Sequence, residues 1–271
     1  MDRSNTAIRR PATGETDCME TPVRTRVAAL ILAYAVLPGW PEAANAADSG
    51  PRLEPYQANY HLHSSGFRAA EIVSTLREEG AEYIFETRGK SRGLATFFVP
   101  RQALEISRFR VSEDGLVALS YLRDAGKADP RDDTRAEFDW ANGTVATIDK
   151  GREATLELAP GMIERHILPL AIGLGLRRGA PPPSLTLIER DRIKVFDITP
   201  QGADRIELGG GVYETVKFLQ HRDESDRSTT IWFAPDLGFV PVKFEIHDKR
   251  GLRARIQLKQ LTLDGNAVLE D

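Results

Sequence analysis

The sequence predicts a mostly β protein, an antiparallel curved sheet or a half-barrel or sandwich of about a dozen strands with one mid-chain helix. Apolar and polar residues alternate with a period of two along many short segments, and Gly-containing turns separate those segments. One stretch in the middle of the chain follows helical spacing instead. We therefore expect sheets with one apolar side, which another layer of the protein must cover.

The first predicted strand, residues 56–63, shows the alternation clearly. One of its faces is apolar and consists of Tyr56, Ala58, Tyr60 and Leu62. The opposite face carries polar side chains, as expected for a strand with one buried side. Turns at 64–66 and 79–80 separate the next strands, and Asn142-Gly143 is typical of a hairpin. The same rhythm continues to residue 158, which favours a meander of neighbouring strands.

Residues 161–177 interrupt this rhythm and predict the helix, broken near Pro169 or Gly173. A linker is expected near residues 179–184, which are rich in Gly and Pro. The helix is apolar over much of its surface, so a curved sheet folded around it is favoured over two sheets packed face to face. Residues 56–263 are expected to form a single β-rich domain.

Strands resume after the linker. Residues 193–199 and 205–208 are predicted as two separate strands, and Gly209-Gly210-Gly211 as a turn. Residues 229–234 and 239–247 are predicted to form a hairpin around residues 235–238. Pro241 falls on the outward register of the second arm, which indicates an edge or bulge position.

The N-terminus has the order of regions found in a secretory signal. Arg24 and Arg26 precede an apolar run at residues 27–37, and Ala44-Asn45-Ala46 matches the small-x-small cleavage pattern. We therefore predict that residues 1–46 are an N-terminal extension and signal peptide cut after Ala46, that residues 47–55 form a flexible leader, and that the protein is periplasmic. A membrane span takes roughly 20 residues, so no transmembrane anchor is expected after cleavage. The alternatives are a buried core helix and an uncleaved anchor.

The cysteine content and charge limit the function classes. Cys18 lies in the segment predicted to be removed, and either Met1 or Met19 could be the true start. The remaining chain would then hold no disulfide, metal thiolate or lipidated cysteine. The formal net charge is −4 and the basic residues are dispersed, so nucleic acid is not an expected partner.

The phrase Trp232-Phe233-Ala234-Pro235-Asp236-Leu237-Gly238-Phe239-Val240-Pro241-Val242 resembles the C-terminal signature of an uncharacterised family of exported bacterial proteins, catalogued as domain of unknown function 3108. Three further segments are similar to that family: the opening strand, Phe138-Asp139-Trp140, and Leu158-Ala159-Pro160-Gly161. The resemblance covers roughly residues 55–262. It implies a periplasmic, β-rich domain of unassigned activity. A more distant similarity to the half-barrels of periplasmic lipoprotein carriers concerns architecture alone.

Residue types that could carry catalysis or metal binding have a simpler structural interpretation. His61 and His63 share a strand face, but the local strand offers no strong third metal ligand, so a solvated face is favoured. His166 is expected at a core or boundary position. The carboxylates at 132–133 and 223–226 are expected at hairpin tips, with calcium at the second a remaining option. No nucleophile elbow or phosphate loop is present. We therefore predict no catalytic residue, cofactor or metal, and leave an enzymatic role open.

The aromatic side chains suggest a binding role. A curved sheet with an apolar concave face could hold a lipid-like or apolar ligand, with a lining of Tyr60, Phe85, Phe138, Trp140, Trp232 and Phe244. The first hypothesis is therefore a non-catalytic binding or carrier module. The alternatives are an envelope structural or assembly factor that binds a protein partner, and an envelope hydrolase whose groups converge from distant strands.

Overall fold

The structure is a computed structural model that describes residues 52–93 and 102–270. The predicted signal segment 1–46 and part of the predicted leader lie outside these residues. Sixteen strands and one α-helix are described. They are β1 (Tyr56–Ser64), β2 (Phe67–Glu79), β3 (Glu82–Ser91), β4 (Gln102–Ser112), β5 (Gly115–Asp124), β6 (Thr134–Asp139), β7 (Thr144–Asp149), β8 (Arg152–Glu157), β9 (Ile163–Glu164), α1 (Leu168–Arg177), β10 (Ser184–Glu189), β11 (Arg192–Leu208), β12 (Gly211–His221), β13 (Ser228–Ala234), β14 (Val240–Asp248), β15 (Gly251–Leu263) and β16 (Asn266–Leu269).

All these strands belong to one open sheet. Its order is β8-β7-β6-β5-β4-β3-β2-β1-β15-β14-β13-β12-β11-β10-β9, and β16 pairs with β15 beside this path. Two meanders thus meet at the β1–β15 pair, so the N-terminal and C-terminal halves form one sheet. The β9–β10 pair is parallel, whereas the pairs of the meanders are antiparallel. The predicted mostly β fold, an open curved sheet with one helix, is confirmed.

The core lies on one face of this sheet, as the alternation predicts. On β1, Tyr56, Ala58 and Tyr60 are buried and belong to the main apolar cluster, whereas Gln57 is exposed. Residues of α1 belong to the same cluster, so the helix covers the apolar face of the sheet. The preference for a sheet around a helix over a two-sheet sandwich is therefore correct.

The predicted helix at 161–177 is too long. Ile163 and Glu164 form the short strand β9, residues 165–167 form a 3₁₀ turn, and α1 begins only at Leu168. Pro169 does not break the helix but occupies its first turn, where a missing N–H costs no hydrogen bond. A strand of two residues inside an apolar run gives no period-two signal, so β9 could not be predicted from the sequence.

Two glycines allow α1 to pack closely. A Cβ at Gly173 would lie 3.0 Å from the carbonyl oxygen of Phe239, and a Cβ at Gly175 would lie 2.8 Å from the Cα of Pro181. The N–H of Ala180 donates to the carbonyl of Gly175 at 2.9 Å. The segment predicted as a linker therefore packs against the end of the helix. Burial rather than intrinsic propensity stabilises this Gly-containing helix.

The hairpin of β13 and β14 has the predicted form. Gly238 adopts a left-handed conformation with φ 65° after the 3₁₀ turn at Pro235–Leu237. The β13–β14 register shifts between Trp232 and Phe233, where Phe233 pairs with Pro241. Of the predicted edge or bulge position at Pro241, the bulge is thus confirmed, but the predicted outward register is wrong because Pro241 is buried. The carbonyl of Pro241 accepts a hydrogen bond from the Tyr60 hydroxyl at 2.9 Å, which links this bulge to β1.

The strand count differs from about a dozen for local reasons. The two strands predicted at 193–199 and 205–208 are one strand, β11, whose pairing with β12 shifts register between Pro200 and Ala203. The short strands β9 and β16 were not predicted, since a few residues show no clear alternation. In the described part of the chain, no helix has the length and apolar character needed to cross a membrane.

Candidate functional site

A cleft lies where the two ends of the open sheet approach each other. β9 contacts β5, and Ile188 of β10 packs with Ala136 of β6 and Val145 of β7. The cleft has a volume of about 310 Å³. Its lining combines apolar, polar and charged side chains: Glu105, Tyr121, Arg123, Thr134, Arg165, His166, Ile188, Glu189 and Arg190.

Glu164, the last residue of β9, and the following residue, Arg165, point in opposite directions near this cleft. Glu164 is 1% exposed and faces the core, whereas the next residue, Arg165, reaches outward to Glu189 with an Nη1–Oε1 distance of 2.6 Å. The backbone N–H of His166 donates to Glu164 Oε2 at 2.5 Å and closes the 3₁₀ turn. A local capping interaction therefore buries the carboxyl group beneath the cleft.

A chain of polar side chains extends from Glu164 into the sheet. Ser107 Oγ lies 2.6 Å from Glu164 Oε1 and 2.7 Å from His166 Nδ1. His166 Nε2 lies 2.9 Å from Thr87 Oγ1, and that hydroxyl lies 3.0 Å from Ser74 Oγ. The His166 ring also stacks on Phe85, with a centroid distance of 4.5 Å. The core or boundary position predicted for His166 is confirmed.

Burial determines the protonation states of Glu164 and His166. It raises the pKa of the Glu164 carboxyl to about 8, and hydrogen bonds from Ser107 and from the N–H of His166 offset only part of the effect. Burial also lowers the pKa of His166 to about 3. At neutral pH, Glu164 is therefore mostly protonated and His166 is uncharged.

In this protonation state the hydrogens of Glu164, Ser107, His166 and Thr87 each have an acceptor. The Glu164 O–H can donate to Ser107 Oγ, which leaves the serine hydrogen for His166 Nδ1. The Nε2–H of His166 then donates to Thr87, whose hydroxyl donates to Ser74. These hydrogen bonds all point away from the Glu164 carboxyl group. Ser107 and Thr87 thereby fix the tautomer of His166, with its hydrogen on Nε2.

Ser, His and Glu side chains meet here without the geometry of a nucleophilic hydrolase. Ser107 is 0% exposed, so its hydroxyl cannot reach a substrate in the cleft. The carboxyl of Glu164 contacts Ser107 rather than the second ring nitrogen of His166, which bonds Thr87. The arrangement stabilises a buried polar network and supports no nucleophilic role.

Charged pairs form the rim of the cleft. Glu189 binds Arg165 and Lys194, whereas Arg123 lies 3.7 Å from Glu105. Arg190 lies at the long distance of 4.0 Å from Asp149. The Tyr121 hydroxyl donates to Glu105 at 3.0 Å, and burial, followed by the nearby carboxylates, raises the pKa of Tyr121 well above its ordinary range. Tyr121 thus remains an uncharged donor in the wall.

Five of the six aromatic residues predicted as a ligand lining lie in or against the main apolar cluster. None of the six lines the cleft described above. Tyr60, Phe85 and Trp232 are buried in the main core, and Phe138 and Phe244 pack against it. Tyr60 meets Phe244 edge to face, Phe138 stacks with Trp140, and Lys243 Nζ lies 4.2 Å from the ring centroid of Trp232. Their role as a lining stays a prediction.

Sequence reasoning assigned no residue of this cleft to a site, and it named His166 only as a core or boundary residue. Tyr121 and Ile188 belong to different meanders, so nothing in their sequence spacing brings them together. A local signal existed for Glu164 and Arg165, which are charged residues inside an otherwise apolar run. A charge in such a run indicates either a bend in the chain or a buried, satisfied group.

The remaining candidates lie elsewhere. His61 and His63 have ring centroids 6.3 Å apart, and His61 Nε2 lies 3.3 Å from Arg68 Nη1. Within residues 52–93 and 102–270, one group of potential metal ligands has its donor atoms within 4.8 Å of one another: Asp197, His221 and Asp223. Asp197 belongs to β11 and His221 to β12. Asp223 is therefore the single member of this group from the acidic run at 223–226. A second hollow, of about 650 Å³, includes Lys90 and Gln102 in its lining. Because residues 94–101 between them are not described, we assign no site there.

Comparison with known families gives the chain its classification. Residues 56–258 match the family described as "Protein of unknown function (DUF3108)". The chain belongs to this family. The match spans the domain from β1 to β15, so the DUF3108 region includes both ends of the open sheet and the cleft between them.

One solved structure supports the fold of this DUF3108 protein. A β-barrel-like protein of domain of unknown function DUF1849 from Brucella abortus is similar, with a TM-score of 0.52 and 14% identity, over 78% of this chain and 98% of that chain. A putative lipoprotein from Parabacteroides distasonis ATCC 8503 aligns with a TM-score of 0.32 and 12% identity, over 78% and 97% of the two chains. A comparison with curated proteins found no match. The DUF3108 chain therefore shares its β-barrel-like fold with the Brucella abortus protein, and function must be argued from its own residues.

Proposed function

We propose that the protein is an exported, non-catalytic binding module of the bacterial envelope that carries a small lipid-like ligand. The observation that carries this proposal is the cleft between the two ends of the open sheet. Its volume of about 310 Å³ lies at the lower end of the range for small-molecule sites.

The lining indicates a ligand with an anionic group and a short apolar part. The Tyr121 ring and Ile188 supply apolar surface, while Arg123 and Arg190 supply positive charge. Both arginines lie at least 3.7 Å from their carboxylate partners, so a ligand anion can compete for them. A medium-chain fatty acid has this chemistry. This ligand is more polar than the purely apolar one that the aromatic content suggested.

A titration with two fluorescent ligands tests the proposal. The chain from Ala47 onward, a compact unit that contains every described residue, is titrated with a dansyl-labelled undecanoic acid and with the corresponding alcohol. We expect saturable binding of the acid and weaker binding of the alcohol. Replacing both arginines, Arg123→Gln with Arg190→Gln, is expected to weaken acid binding about tenfold, a change of about 1.4 kcal/mol.

Two other arginines provide a matched control. Arg77 and Arg110 lie outside the cleft lining, and Arg77→Gln with Arg110→Gln removes the same charge from the protein. This control should bind the acid as the parent does. Absence of saturable binding by the parent, or an equal loss in both double variants, would contradict the proposed site.

Export is tested separately. The signal pattern at residues 24–46 supports delivery beyond the inner membrane, with cleavage after Ala46. We expect the protein in the periplasmic fraction with Ala47 as its first residue. Leu30→Arg with Leu32→Arg should hold it in the cytoplasm, because charges abolish the apolar core of the signal. Recovery of the parent protein from the cytosol with residues 1–46 intact would overturn this part of the proposal.

A second candidate is a scaffold that binds an envelope protein. The observation that favours it is that α1 packs against the apolar face of the sheet, since its residues Leu168, Ile172 and Leu174 are at most 2% exposed. If the titration shows no binding while the exported protein copurifies with one envelope protein in a fixed ratio, the scaffold is the better account.

A further inference from the structure

Two neighbouring hairpin turns carry exposed apolar side chains at one end of the sheet. Phe67, which opens β2, is 73% exposed, and Leu252, near the start of β15, is 46% exposed. Their turns are adjacent because β1 and β15 pair, and the Ser64 hydroxyl donates to the carbonyl of Arg253 at 2.9 Å. Large apolar side chains exposed on neighbouring turns can mark a surface that contacts another phase or partner.

The same two turns are basic, in contrast to the chain as a whole. Residues 64–68 and 248–253 contain the four basic side chains of Arg68, Lys249, Arg250 and Arg253, and one acidic side chain, Asp248. The formal net charge of the full chain is −4. Arg253 Nε lies 3.2 Å from Asp248 Oδ2. The distance from Lys249 Nζ to Asp226 Oδ2 is 3.9 Å, which is long for an ion pair. The Arg250 guanidinium forms no ion pair among the described residues, so positive charge remains available there.

Other features lie at the same end of the sheet. Ile193 and Val195 of β11 are 41% and 51% exposed, and they lie near Asp197, which pairs with the last residue of β12. Strand pairing also places Arg123 and Thr134 of the cleft at this end, through the successive β2–β3, β3–β4, β4–β5 and β5–β6 registers. The exposed apolar side chains therefore share one end with the cleft.

We infer that this end of the sheet docks onto an anionic lipid surface through Phe67 and Leu252, with Lys249 and Arg250 against the headgroups. Single apolar side chains on turns can enter the interfacial region of a bilayer. Each Lys or Arg near an anionic leaflet adds electrostatic attraction that salt screens. The inference rests on the two turns and does not require that the cleft bind a ligand.

Vesicle cosedimentation tests the inference with the chain from Ala47 onward, which excludes the apolar run at 27–37. We expect binding to vesicles that contain phosphatidylglycerol, weaker binding to pure phosphatidylcholine vesicles, and release as salt is added. Phe67→Ser with Leu252→Ser should reduce the partition coefficient about tenfold or more. Lys249→Glu with Arg250→Glu should reduce it similarly and remove the preference for phosphatidylglycerol.

The opposite end of the sheet offers a matched control. Val212 and Val268 are 64% and 43% exposed there, and Val212→Ser with Val268→Ser should leave binding unchanged. Soluble glycerol phosphate should not release the protein if a lipid surface, rather than a single headgroup, is recognised. Failure of the parent to bind either vesicle, or an equal loss in the control, would overturn the inference. The fatty-acid titration without vesicles should be unaffected by Phe67→Ser with Leu252→Ser, so the two proposals fail separately.

Discussion

We expect Glu164→Gln to remove most of the loss of stability that the wild-type protein undergoes above neutral pH. A glutamine can donate to Ser107 and accept from the N–H of His166, so it reproduces the protonated carboxyl group without a titrating proton. The free energy of unfolding, measured by urea denaturation between pH 4 and pH 9, is the quantity that tests this.

The sign follows from the direction of the pKa shift. The folded pKa of Glu164, about 8, is above its ordinary 4.5, so the stabilisation is complete below pH 4.5 and is lost as the pH rises through 8. The slope reaches about 1.4 kcal/mol per pH unit, and the loss between pH 6.5 and pH 8 is about 2 kcal/mol.

His166 contributes in the opposite direction. Its folded pKa of about 3 is below the ordinary 6.5, so its contribution is present above pH 6.5 and is lost as the pH falls through 3. The two slopes cancel between about pH 4.5 and pH 6.5, where we expect a plateau. In Glu164→Gln the alkaline fall should disappear, and the acid fall should begin at about pH 6.5 rather than 4.5, because the His166 slope is no longer cancelled.

An exposed glutamate on β8 gives the control, since Glu153→Gln should leave the wild-type profile unchanged. Nitrogen NMR spectra of His166 add an independent readout. They should show the hydrogen on Nε2 at pH 6, and in the wild type this should move toward Nδ1 as Glu164 ionises, because Ser107 then donates to the carboxylate. An unchanged alkaline slope in Glu164→Gln would mean that Glu164 is not the titrating group.

The second large effect is expected from Phe233→Ala, which should lower the free energy of unfolding by about 4 kcal/mol. Phe233 is 0% exposed, meets Phe218 edge to face at 6.2 Å, and lies 4.0 Å from the position of a Cβ on Gly173. Truncation therefore opens a cavity between β13 and α1 that this close-packed region cannot easily fill. Urea unfolding at pH 6 measures the loss without interference from Glu164.

Two variants calibrate this result. Phe233→Leu keeps much of the volume and should cost clearly less than the alanine substitution. Phe67→Ala removes the same atoms from an exposed site and should change stability by no more than about 0.5 kcal/mol. If Phe233→Ala were as mild as Phe67→Ala, the helix would not be packed against β13 as described.

Much of the fold could be predicted from the chain because its signals are local. Alternation in residues 56–62 requires no knowledge of distant residues, and neither do the turn sequences or the Pro241 bulge. The candidate site could not be predicted in the same way. Tyr121, His166 and Ile188 come together only because the sheet curls until its two ends meet, and no local pattern encodes the contact between β5 and β9.

The sequence by itself determined the mostly β class, the predicted signal pattern and the DUF3108 membership. Each depends on residues close together in the chain, or on a phrase such as Trp232 to Val242. Only the tertiary structure decided that the chain forms one sheet rather than two, that Glu164 is buried, and which side chains line the cleft. Burial depends on what packs above a residue, so the same Glu-Arg pair in sequence became one neutral core acid and one exposed cation.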